Sequence, residues 1–214
     1  MKDKLHKKEN ALLDELRKKG RIAVAFSGGV DSTYLLAAAH EALGDKVLAL
    51  TARAAAFPQR EIMEAAAFCK ERGIDQVVID IDQLAIPGFA SNPPDRCYHC
   101  KKALFTAMLE AANGQGYIRL AEGTNADDLS DYRPGLRALA ELHIDSPLKA
   151  AGLTKEEIRV LSRERGLATA DKPSFACLAT RIARDEMSFS AVTAPACTTP
   201  VPHTPTRTPP GAFR

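Results

Sequence analysis

The chain of 214 residues has no tryptophan, and aromatic side chains make up only 6% of it. It has no basic stripe interleaved with aromatics, the pattern that grips single-stranded nucleic acid, so no nucleic acid partner is expected. The formal net charge of +2 gives no further reason to expect one. No apolar run approaches the roughly 20 residues needed to cross a bilayer. The N-terminal segment MKDKLHKKENALLDELRKKG is charged and periodic and lacks the apolar stretch of a signal peptide. It reads as a surface helix, with a solvated basic face, of a cytoplasmic protein. The Walker pattern GxxxxGK followed by Ser or Thr is absent, so transfer of a γ-phosphoryl group is not implied. Internal repeats are absent too. Cysteine is scarce at five residues. In a cytoplasmic chain these point to metal binding or catalysis rather than structural disulfides.

What is present is ordinary for a soluble globular domain, 45% hydrophobic and 26% charged. Apolar runs alternate with helical patterns, which predicts parallel βαβ units in a Rossmann-like α/β sheet flanked by helices. Strands are expected at Ile22 to Phe26, Val47 to Thr51, Gln76 to Ile81 and Tyr117 to Ala121. Helices are expected up to about Gly44, from Pro58 to Arg72 with a stop at Gly73, and from about Lys101 to Ala112. Thr154-Lys155-Glu156-Glu157 reads as a capping box opening a helix to about Arg165. The segment EGTNADDLSDYRPG should be a loop at the C-terminal end of the fourth strand, where open α/β sheets place their ligands. The globular part is expected to cover residues 1–186. Residues 187–214 are rich in Pro and Thr, and their composition predicts disorder.

Ser27-Gly28-Gly29-Val30-Asp31-Ser32 lies between a predicted strand and a predicted helix. Its glycines permit a tight turn and close backbone approach, and the helix start offers free N–H groups to an anion. Ser27 and Ser32 can add hydroxyl donors. Asp31 would repel phosphate unless Mg²⁺ bridged the two, so Asp31 is both a catalytic and a metal candidate. A plain glycine turn with Asp as helix cap is the simpler alternative. The hexamer, however, matches the PP-loop signature in its required strand–turn–helix context. PP-loop proteins cleave ATP between the α and β phosphates.

Cys97-Tyr98-His99-Cys100 is a C-x-x-C pair, and Cys177 lies in a loop of small residues. Three thiolates fit either a zinc site with one open position or a 4Fe–4S cluster with one iron not held by protein. His99 is awkward as a fourth zinc ligand because it lies inside the short pair. Cys69, on the apolar face of a helix, reads as core, and Cys197 receives no role.

The stretches AFSGGVDSTYLL, RCYHCK, EGTNADDLSDYRPG, SPL, GLTKEEIR and KPSFACLATR together resemble the ATP-dependent sacrificial sulfur transferases, the LarE family. The resemblance runs from about Arg21 to Glu186. It implies adenylation of both carboxylates of pyridinium-3,5-biscarboxylic acid mononucleotide and their conversion to thiocarboxylates, a step in making the nickel-pincer nucleotide of lactate racemase. In the single-cysteine form of the family, the cysteine matching Cys177 gives up its own sulfur. In the other form three cysteines hold a 4Fe–4S cluster, and the pair Cys97 and Cys100 beside Cys177 makes this chain resemble that form. Lys101 could neutralise phosphate or carboxylate, or be only an exposed lysine at a helix start. Thr51, at a strand end, and Asn125 are candidate nucleotide contacts. Of Glu122, Asn125, Asp127 and Asp128, some are expected to be turn residues, and Asp128 is the first choice for Mg²⁺. Arg133, Arg181 and Ser174 are candidates for holding the anionic substrate. The family continues past ACLATR into a smaller C-terminal domain and forms a homo-oligomer. The change of composition after Glu186 reads as a frameshift or a truncated gene model. A tRNA-thiolating PP-loop enzyme, an amide-forming PP-loop synthetase and an inactive nucleotide binder are the alternatives.

Overall fold

Ile22–Ala25 and Val47–Leu50 are continuous apolar runs, the pattern of parallel strands covered on both faces. The computed structural model describes residues 2–87, 89, 93–130 and 134–173. Its strands are β1 (Ile22–Ala25), β2 (Val47–Arg53), β3 (Asp75–Asp80) and β4 (Leu120–Ala121). All are parallel, in the order β3-β2-β1-β4. Ile22 lies opposite Val47, and Ala23 opposite Leu120. The chain leaves β1 towards β2 on one side and returns to β4 on the other. The crevice beyond the C-terminal ends of β1 and β4 is therefore a topological switch point, the place where such sheets bind ligands.

The helices are α1 (Lys2–Lys19), α2 (Val30–Leu43), α3 (Gln59–Arg72), α4 (Arg96–Gly114), α5 (Pro134–Glu141), α6 (Pro147–Ala150) and α7 (Lys155–Glu164). Helices α1, α2, α3 and α7 share one core with Ile22 and Val24, built from Leu12, Leu16, Leu35, Cys69, Ile158 and Leu161 among others. Helices α4 and α5 cover the other face through Phe105, Met108 and Leu139, packed with Ala23, Leu48 and Leu50. This is the α/β architecture that the alternating pattern predicts. No helix among the described residues is long and apolar enough to cross a membrane.

Three expectations need correction. Helix α1 is not only a solvated face: Leu12, Leu13 and Leu16 are buried, because they recur on one side of an otherwise charged helix. Helix α4 begins at Arg96, five residues before the expected start, so Cys97 and Cys100 lie in its first turns. Strand β4 is only two residues long. Tyr117, expected in it, instead donates its N–H to Ala112 O (2.9 Å) and closes the end of α4, with Arg21 stacked over its ring. Helices α5 and α6 have no counterpart in the sequence reading. Gly73 ends α3 as predicted, at φ 64°, with its N–H donated back to the last turn. Cys69 is buried as expected, and burial pushes its thiol up to about 12.

Ser174, Cys177, Arg181 and residues 187–214 with their predicted disorder lie outside the described residues, as does Arg133.

Candidate active site

The site starts from the glycine turn between β1 and α2. Gly28 takes φ 72°, and a Cβ there would stand 3.3 Å from Glu61 O and 3.6 Å from Ala65 Cβ. Only glycine suits both that backbone and that approach to α3. Gly29 is the N-cap of α2, and no side chain caps the helix there. Helix starts without a side-chain cap are the places where backbone amides can meet an anion. The two serine hydroxyls stiffen the turn. Ser27 Oγ and Ser32 Oγ are 3.1 Å apart, Ser32 Oγ donates to Gly29 O (3.1 Å), and Ser27 N–H donates to Ser32 Oγ (3.3 Å).

Asp31 follows in the first turn of α2. Its Oδ2 accepts from Lys155 Nζ at 2.5 Å, while its Oδ1 is buried with no hydrogen-bond partner among the described residues. A buried, unbonded carboxylate oxygen is costly unless something completes it. The loop after β4 closes on the same turn: a Cβ on Gly123 would lie 3.0 Å from Ser32 N and 3.3 Å from Asp31 Cβ.

That loop is held by its own carboxylates. Glu122 is buried and accepts from Thr124 N (3.1 Å), Thr124 Oγ1 (2.8 Å) and Ser146 Oγ (2.6 Å). Asn125 Oδ1 accepts from Asp127 N–H (2.9 Å), and Asp127 Oδ2 accepts from Lys155 N–H (2.8 Å). Asp128 Oδ2 accepts from Asn125 N–H (3.0 Å). Glu122 and Asp127 thus do structural work in this loop. Thr51 is buried, and its hydroxyl donates to Phe26 O (2.9 Å) and accepts from Gln76 Nε2 (2.8 Å). The side chain therefore fixes the end of β1 beside the turn.

Residues 21–91 match the family model described as queuosine biosynthesis protein QueC. Over 175 residues the chain is 33% identical to the pyridinium-3,5-bisthiocarboxylic acid mononucleotide synthase of Lactiplantibacillus plantarum, covering 81% of this chain and 63% of that one. It is 32% identical over 178 residues to an uncharacterized protein of Methanocaldococcus jannaschii, covering 83% of this chain and 67% of that one. The chain belongs to the LarE family of PP-loop proteins. It spans about three fifths to two thirds of the length of the curated relatives it matches. Among solved structures, the ammonia-dependent NAD synthetase of Campylobacter jejuni, in complex with nitrate, superposes with a TM-score of 0.61 at 16% identity. That match covers 80% of this chain and 79% of that one, and it shows the shared PP-loop, Rossmann-like fold.

Within this LarE-family chain, Cys97 is exposed and Cys100 is half-buried, three residues apart on one side of α4. Gln83 Nε2 lies 3.5 Å from Cys100 Sγ, and His99 Nε2 lies 3.2 Å from Asp95 Oδ2. Among the described residues no group of three or more His, Cys, Asp or Glu side chains is placed to hold a metal ion. The stem of Lys101 crosses α5 at Gly135, where a Cβ would stand 2.6 Å from Lys101 Cδ.

Two residues of this site escaped the sequence reading. Lys155 was visible only as part of a capping box, yet it reaches Asp31, 124 positions away. Lys172 opens the KPSFACLATR block, and its Nζ donates to Gly28 O (3.1 Å) and Glu64 Oε2 (2.9 Å). Neither pairing has a signal in one sequence, because both partners come from distant elements.

Proposed function

We propose that this protein is a cytoplasmic enzyme that activates the carboxylates of pyridinium-3,5-biscarboxylic acid mononucleotide with ATP and replaces an oxygen of each by sulfur. The observation that carries the reading is the glycine turn at a helix start without a side-chain cap, beside the buried Asp31 Oδ1 that has no partner among the described residues. The likeness to the Lactiplantibacillus plantarum synthase, whose name gives a bisthiocarboxylic mononucleotide as product, supports the corresponding biscarboxylic substrate.

The backbone of Gly28, Gly29 and Val30, with Ser27 and Ser32, would hold the departing pyrophosphate. Asp31 offers an oxygen fit for Mg²⁺, with Asp128 as a second candidate, and the ion would neutralise charge as the phosphates separate. Asn125 and Thr51 border the nucleotide. Lys101, Arg133, Ser174 and Arg181 are assigned to the anionic groups of the substrate. A substrate carboxylate oxygen attacks the α-phosphorus, the α–β bond breaks, and pyrophosphate leaves. The acyl carbon then bears AMP in place of oxide, a far better leaving group. A sulfur nucleophile at the Cys177 site would attack that carbon and displace AMP, and the bond between that sulfur and its donor would then break to free the thiocarboxylate. Cys97 and Cys100, spaced to present two thiolates on one helix side, would hold a 4Fe–4S cluster together with Cys177, with zinc as the alternative. Such a cluster supplies a transferable sulfide at the iron that no cysteine binds. The partner is thus a small molecule, with no nucleic acid required.

The test measures pyrophosphate and AMP release with ATP and Mg²⁺, with and without the pyridinium substrate. Release should depend on that substrate, and Asp31→Ala should lower it by about a hundredfold or more. Release that ignores the pyridinium compound, or thiolation of tRNA in its place, would sink the proposal.

A further inference from the structure

The carbonyl of the peptide joining Gly28 to Gly29 is held by a lysine from a distant part of the chain. Lys172 Nζ donates to Gly28 O at 3.1 Å, and the side chain is only 15% exposed. The same ammonium bonds Glu64 Oε2 at 2.9 Å and lies 3.7 Å from Glu61 Oε1, both on α3. The chain around Lys172 is itself held. Arg159 of α7 donates from Nη1 to Ala170 O and from Nη2 to Lys172 O (2.9 Å). A long side chain is therefore anchored at its backbone and aimed at one carbonyl.

The C=O and the following N–H of a trans peptide point in opposite directions. With the Gly28 carbonyl turned towards Lys172, the Gly29 N–H is turned away from it, towards Ser27 Oγ at 3.4 Å. That contact is long and weak, so the N–H remains available to a stronger acceptor. At φ 72° Gly28 lacks the steric restraint that would otherwise fix this peptide, and a glycine pair can flip its shared plane. A charged donor on the carbonyl removes that freedom and polarises the peptide, making the Gly29 N–H a better donor.

We propose that Lys172 is a positioning residue for adenylation: by holding the Gly28 carbonyl it keeps the Gly29 N–H aimed at the pyrophosphate of ATP. The inference rests on the PP-loop reading above and adds to it a residue outside the loop. Lys172 stands five positions before Cys177 in sequence, so the side chain that sets the phosphate site belongs to the block that carries the sulfur-transfer cysteine.

The probe is inorganic pyrophosphate with Mg²⁺, titrated calorimetrically into the full chain, with ¹⁵N spectra of the Gly29 amide as the second readout. Lys172→Met should weaken binding about tenfold and move the Gly29 resonance. Lys172→Arg, which can still donate to the carbonyl, should restore binding to within about threefold. Glu64→Gln leaves the lysine on Gly28 O and should also keep binding within about threefold, so it answers the question even if Lys172→Met does not fold. Equal affinity in Lys172→Met and wild type, or a loss in Glu64→Gln as large as in Lys172→Met, overturns the inference. A wild-type chain that binds no pyrophosphate overturns the PP-loop reading itself, and the inference with it.

Discussion

Gly123 makes the residue-scale argument most sharply. It sits half-buried where the loop after β4 meets the start of α2, 3.0 Å (as a notional Cβ) from the Ser32 amide. A methyl group there must push the two loops apart or cover the Ser32 amide, which the proposed function assigns to phosphate. Gly123→Ala is expected to cost about 1–2 kcal/mol of stability as overpacking. It should weaken ATP or pyrophosphate binding by at least tenfold, on the order of one lost charged hydrogen bond. Calorimetric titration beside a urea melt separates the two effects; binding unchanged in a destabilised variant would place the phosphates elsewhere. In sequence Gly123 was one more turn residue. The hexamer at Ser27–Ser32 was legible because strand, turn and helix are contiguous. The contacts of Gly123, Lys155 and Lys172 were not, because each depends on elements far apart in the chain.

At the scale of elements, the start of α4 matters most. The reading from sequence starts this helix at about Lys101, just after the C-x-x-C pair, because a Pro-rich segment leads up to Cys97. The helix nonetheless begins at Arg96, with Tyr98 N–H and His99 N–H both donated to Asp95 O. Its first turn therefore holds Cys97 and Cys100 at the fixed spacing of a helix rather than the loose spacing of a loop. Anaerobic reconstitution with iron and sulfide should give a broad absorption near roughly 400 nm, and Cys97→Ala should abolish it. Uptake of zinc alone would refute the cluster. The long periodic elements α2, α3 and α7 were predicted close to their bounds. Helix α5 was missed because it has eight residues and begins at Pro134, which reads first as a turn signal.

For the molecule as a whole, α1, α2 and α7 are tied together by one polar cluster. Arg165 donates to Glu9 Oε1 from Nε (3.1 Å) and Nη2 (2.8 Å) and also pairs with Glu41, and Tyr34 OH donates to Glu9 Oε1 (3.1 Å). Burial pushes the Glu9 carboxyl up, but hydrogen bonds from His6, Arg165 and Tyr34 and the charge of Arg165 outweigh it, so the group sits below its ordinary value. Folding therefore favours the ionised form. The stabilisation is complete above the unfolded value of about 4.3 and is lost as pH falls through the lower folded value. Glu9→Gln should cost about 1–3 kcal/mol near neutral pH, and the difference from wild type should shrink in acid. Urea melts across that range check the sign; a difference that grows in acid would contradict it.

The way the glycine turn is finished bears on how the molecule folds. Its glycines are local, but its two lysines arrive from 124 and 144 positions away. A nascent chain holding only the first βαβ unit already has the turn, yet neither cation that trims it. Nucleotide should therefore reward only the completed topology and act as a late thermodynamic ratchet on folding, raising the melting temperature in step with the logarithm of its concentration.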